Sequence, residues 1–229
     1  MANIFLATDD FLESLGVTEQ VGLSLSTPPA VKPSQLQITN AISCATVVLI
    51  SGYFENFLKN LVKEYIEKLN ALGKHLTAIP LDMQLKHYAG GADALAWASK
   101  EDKALGSTSV SQDLSRRLAS LSQPTGYILA WEAFANTKSN PGPETVKMIL
   151  AGLEVDKAWT EINALTTLHG RLDTFLMSFI KMRNVCAHTG RHHTPPTGFD
   201  IVEYVGKFGA LAECIDVLAG IRLEAFAMP

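Results

Sequence analysis

LISGYFENFLKNLVKEYIEKL, Leu49 to Leu69, decides the fold class. Phe54, Phe57, Leu58, Leu61, Val62, Tyr65, Ile66 and Leu69 return at three- and four-residue steps, while Lys59, Lys63, Glu64, Glu67 and Lys68 collect on the other side. That is the period of an amphipathic helix and not the alternation of a strand. The apolar pattern continues upstream through Ile38, Ile42, Ala45, Val48 and Leu49, so one helix is expected from about Ser34 to Leu72. Ser34 suits its N-cap. Gly52 interrupts the stripe and marks either a kink or a close helix contact.

A second long helix is expected from Asp156 or Thr160 to His188, with Leu165, Leu168, Leu172, Phe175, Leu176, Phe179 and Ile180 as its apolar stripe and Gly190 as its stop. A last helix follows from about Asp200 to Phe226. Between the long helices, short ones are expected near Leu81–His87, Ala92–Lys100, Gln112–Leu121, Ile128–Ala135 and Glu144–Leu153, punctuated by Gly90-Gly91, Gly106-Ser107 and Asn140-Pro141-Gly142-Pro143. Pro143 suits a first helical turn. Residues 1–33 read as an N-terminal extension, with a short helix around Asp10–Leu15 and a loose segment ending STPPAVKP. No β pattern and no repeat is present. The expectation is an all-α bundle of three or four long helices over 34–229, with 73–155 as an irregular helical insertion.

The composition excludes several classes. At 229 residues, 47 % hydrophobic and 18 % charged, the chain is globular. A net charge of −4 gives no global nucleic-acid footprint, so any polyanion must be held locally. Cys44, Cys186 and Cys214 are odd in number and set among apolar residues, as reduced core thiols would be. MANIFLATDD lacks a basic leader segment, and the apolar run Ala45 to Ile50 is too short to cross a bilayer. These features predict a cytoplasmic protein that is not a membrane protein.

Against that acidic background, FIKMRNVCAHTGRHH, Phe179 to His193, concentrates two arginines, a lysine and three histidines, and no carboxylate occurs between Thr174 and Phe199. Lys181, Arg183 and His188 at a helix C-terminus complement the macrodipole, which is a sufficient structural reason for them. A chemical reason is also available. Asn184 and His188 are four apart and share a face; Arg183 and His188 are about 140° apart on an ideal helix. A flexible arginine still reaches the same cleft, above all where a facing helix completes the site.

ArgAsnValCysAlaHis (183–188), followed by Gly190, resembles the R-x4-6-H signature of the HEPN superfamily. Two further stretches are similar to its RiboL-PSP-type branch: LISGYFENFLKNLV (49–62), with its Phe54-Glu55 pair, and NPGPETVKMILAGLEV (140–155). Two departures stand out. Thr189 separates His188 from Gly190, and Gly190 stands where some toxin members carry a tyrosine. The resemblance implies a helical domain that dimerises across its motif helices. It implies either a metal-independent endoribonuclease of toxin–antitoxin or antiviral defence systems, with RNA and an antitoxin-like protein as partners, or an inactive relative that binds RNA or a protein.

The chemistry fits the first of these without a cofactor. RNA carries its own nucleophile, the 2′-OH. Cleavage needs a base, an acid and a cation for the charge at phosphorus. His188 suits the proton transfers and Arg183 the phosphate oxygens. Asn184 can orient either or bond the phosphate. Glu55 can orient His188, pair with Arg183, or simply stand solvated at a helix edge. Lys181, Arg191, His192 and His193 are candidates for RNA backbone contacts. A metal at His188, His192 and His193 is disfavoured, because Gly190 breaks the helix between them and Cys186 points elsewhere. Trp97 and Trp131 read as packing residues, with base stacking as the alternative. A third reading leaves the motif as a helix end only.

Overall fold

The computed structural model describes residues 3–26, 33–137, 141–166 and 169–228, with the side chains of residues 33 and 34 excepted. Among them it contains eight α-helices and no strand: α1 Leu6–Ser26, α2 Pro33–Ala71, α3 Leu81–Leu105, α4 Ser109–Ser120, α5 Pro143–Ala151, α6 Ala158–Leu165, α7 Leu172–Thr189 and α8 Gly198–Ala227. The all-α class is as expected.

The core lies where α2, α7 and α8 meet. Three rings pin it: Phe179 and Phe208 stand 4.7 Å apart edge-on, and Phe54 and Phe208 5.0 Å apart. Such pairs add to the burial of their area. Phe54 precedes Glu55, and Phe179 lies one turn before Arg183, so the core fixes the backbone that carries both candidate residues.

The segment read as an extension is instead part of this core. Helix α1 has 21 residues, not the short piece expected around 10–15, and Phe11 and Leu15 are buried in the same cluster as Phe54. Two carboxylates hold its N-terminus. The amides of Ile4 and Phe5 donate to buried Asp216 at 2.9 and 3.0 Å, and those of Leu6 and Ala7 to Glu64 at 2.9 and 2.8 Å. Acceptors with negative charge are what the open amides of a helix start require. The loose segment expected after Leu15 is helical as far as Ser26, and the rest of its STPPAVKP end falls almost entirely outside the described residues, as do Leu168, Asn140 and the Ser34 side chain. Helix α2 already begins at Pro33.

Helix α2 runs 39 residues without a break at Gly52, and a Cβ there would meet nothing within 4 Å, so no close contact explains that glycine. Its first half is inverted. Ser43, Cys44, Thr46, Val47 and Ile50 face inward, while Ile38 (60 % exposed), Ile42 (41 %) and Leu49 (43 %) face outward with Ala45. By length and composition α2 could cross a membrane, yet half of the window that passes this test is buried in the bundle.

The middle region departs most from expectation. The two helices expected on either side of Gly90-Gly91 are one, α3, and the glycines are packing residues. A Cβ on Gly90 would stand 2.0 Å from the Ala133 carbonyl oxygen. Gly90→Ala therefore forces α3 off the 130–135 segment. It is expected to lower stability by about 1–3 kcal/mol in urea unfolding, as overpacking does; a change within 0.5 kcal/mol would contradict that fit. The helix expected at 128–135 is only a 3-10 turn, Trp131–Ala133. The single helix expected from 156–160 to 188 is two, α6 and α7. The Asn163 side chain bridges the break by accepting from the Leu172 amide at 3.0 Å.

Candidate functional site

Helix α7 ends as its sequence requires. Gly190 takes φ +64°, the left-handed region that favours glycine, and its N–H closes on the Cys186 carbonyl at 2.9 Å. Arg183, Asn184 and His188 thus sit in the last turns, where the dipole favours cations. Arg183 is half-buried: its Nη1 donates to Asn184 Oδ1 at 3.3 Å, and its Nε–H is buried with no acceptor among the described residues. A buried donor without a partner is uncommon and asks for one. His188 is exposed, and no described residue hydrogen-bonds to its ring.

Glu55 faces this region from α2. It is not simply solvated: Lys59 Nζ and Thr137 Oγ1 donate to its Oε1 at 2.7 and 2.8 Å. Burial works to raise its pKa, but those hydrogen bonds, the Lys59 charge and the Arg183 charge together hold it below the usual value. Arg183 is therefore within electrostatic reach of Glu55, although its nitrogens form no ion pair with it within 4.0 Å among the described residues. The carboxylate is engaged by Lys59 and Thr137, not by His188.

Between Arg183 and His188, Cys186 points into the bundle, with its Sγ 3.0 Å from Cys44 Sγ of α2. Burial first, and then Cys44, push its thiol up to about 12. It is a buried thiol and no nucleophile. The contact also fixes α7 against α2.

Beyond the helix, Arg191, His192 and His193 line one hollow of about 600 Å³ with Val185 and Thr189. Thr189, the residue inserted before the glycine, has a local role. Its hydroxyl accepts from the Arg191 N–H at 3.2 Å and folds the loop back on the helix end. His192 Nδ1 is 2.8 Å from the Thr194 carbonyl, so that ring serves the loop as well as the surface. Lys181 is exposed on α7 outside the hollow. Among the described residues no group of three His, Cys, Asp or Glu side chains gathers as a metal site. Trp97, read as a packing residue, is 69 % exposed, which its place on the α3 surface explains and its composition did not reveal.

A helical bundle with an Arg-x4-His motif closing a core helix defines a HEPN-type domain. The chain belongs to the RiboL-PSP-HEPN family, whose model matches residues 24–219. No curated protein and no solved structure matches it.

Proposed function

We propose that this protein is a metal-independent endoribonuclease acting as a dimer. The observation that carries the reading is the end of α7. There an arginine with an orphaned buried N–H and an exposed histidine share the last turns of one helix, within residues 174–199, which carry no carboxylate. Arg183 binds the phosphate oxygens through its fork of donors. One histidine takes the 2′-OH proton as the oxygen attacks phosphorus, and a second protonates the departing 5′-oxygen. The products are a 2′,3′-cyclic phosphate and a 5′-OH. Asn184 steadies the guanidinium, and Glu55, held by Lys59 and Thr137, adds a negative charge within electrostatic reach of Arg183.

One His188 per chain serves one proton transfer, and the inverted face of α2 supports a second chain. Ile38, Ile42, Ala45 and Leu49 form an exposed apolar stripe. Its middle lies beside the motif helix, because Cys44, next to Ala45, touches Cys186. An exposed apolar face next to the motif is what a two-fold interface would use. The test is cleavage of mixed cellular RNA in excess EDTA. Cyclic-phosphate ends are expected from the wild type; dependence on added metal would reject the mechanism.

A second reading retains RNA or protein binding without cutting. It is favoured by the absence of any described side chain orienting His188, and it predicts binding that depends on Arg183 more than on His188. A defence or toxin–antitoxin setting with an antitoxin-like partner is what the family resemblance adds. Growth arrest on expression, relieved by either Arg183→Ala or His188→Ala, is its expected sign.

A further inference from the structure

A pocket of about 510 Å³ opens between α3, α4 and the Trp131–Ala133 turn. That is the size of a small-molecule site. Its α3 wall is Asp93, Trp97 and Glu101, spaced four apart and so on one helix face, with the indole between two carboxylates. Trp131 lines it too, and Leu114 at its base is 1 % exposed. The pocket also adjoins the candidate site. Lys59 lines it and donates to Glu55, while Asn136 lines it and its neighbour Thr137 donates to the same carboxylate.

Charge selects among possible guests. Glu132 is neutralised by both terminal nitrogens of Arg117, at 2.8 and 2.7 Å, and Lys59 by Glu55 at 2.7 Å. Asp93 and Glu101 have no ion-pair partner among the described residues. The pocket therefore repels a phosphate. A nucleobase suits it: the apolar face stacks on an indole, and the donor edge meets carboxylate oxygens. Guanine alone among the four bases presents two adjacent donors on that edge, N1–H and N2–H₂, which match the two oxygens of one carboxylate. Adenine and cytosine set a ring-nitrogen acceptor beside their amine, and uracil sets carbonyls beside its N–H.

We propose that this pocket is a nucleobase subsite for guanine, holding a base of the RNA strand whose phosphate lies at Arg183 and His188. It rests on the reading of the protein as acting on RNA. It also gives the middle of the chain a role in choosing sequence.

The test is titration of the full-length protein with guanosine, adenosine, cytidine and uridine, followed by tryptophan fluorescence, beside a cleavage assay on RNAs with and without guanine. Guanosine should quench the wild type and bind tightest. Trp97→Ala should lose the quench and weaken guanosine roughly 5- to 150-fold, the worth of one stacked base. Asp93→Asn or Glu101→Gln should remove the preference for guanosine, and folding is checked by circular dichroism. If guanosine binds but no RNA is cut, the subsite stands and the nuclease reading fails. RNA cut without base preference by a protein that binds no nucleoside overturns the subsite and leaves the nuclease. Quenching by N-acetylarginine amide and not by nucleosides also overturns it, because the pocket then takes a cationic side chain.

Discussion

His188→Ala is expected to reduce RNA cleavage by about 10²- to 10⁴-fold, the usual worth of a general acid or base. The exposed ring packs against nothing essential, so unfolding free energies in urea should agree within about 0.5 kcal/mol. Arg183→Ala should cost about 10²- to 10³-fold through loss of charge stabilisation at phosphorus. Arg183→Lys separates charge from geometry. A lysine keeps the cation but not the fork, and it cannot reproduce the buried Nε–H, so most activity should stay lost. Cleavage that survives both alanine variants would move the chemistry elsewhere. Lost cleavage together with lost stability would return the motif to the role of a helix end.

The parts legible in the sequence were those where one principle acts alone. The apolar period of α2 has no rival interpretation over residues 54–69, and its helix is found as expected. Gly190 stops α7 because a left-handed cap needs it, and the motif before it is local in the chain. What failed depended on partners distant in sequence. Gly90 and Gly91 look like punctuation, but Ala133 and Leu118 pack where their side chains would be. Helix α1 was missed in length and in role because its N-terminus is held by Glu64 and Asp216, which lie 57 and 211 residues away from the amides they cap. The site divides the same way. Arg183, Asn184 and His188 lie on one helix and are local in the chain, whereas the place of Glu55 beside Thr137 needs the tertiary fold. Trp97 carried no signal separating a core indole from an exposed one.

Ile42→Asp combined with Leu49→Asp is expected to convert a dimer to a monomer and to abolish cleavage without unfolding the chain. Both side chains are already about two-fifths exposed, so the charges cost the isolated bundle little, whereas a two-fold interface would confront each with its own copy. Light scattering after gel filtration reads the mass, and the EDTA assay reads the activity. A wild type that is monomeric at micromolar concentration sinks the interface. Mixing then tests whether the two motifs act together. If each cut needs a histidine from both chains, only wild-type pairs work, and active dimers vary as the square of the wild-type fraction. At one part wild type to nine parts His188→Ala, after subunit exchange, activity should fall to about one-hundredth; independent sites would leave about one-tenth. The squared dependence follows from one imidazole per chain facing a reaction with two proton transfers. A linear outcome would require a second proton carrier within the same chain, and Glu55, bound to Lys59 and Thr137, is not placed to be one.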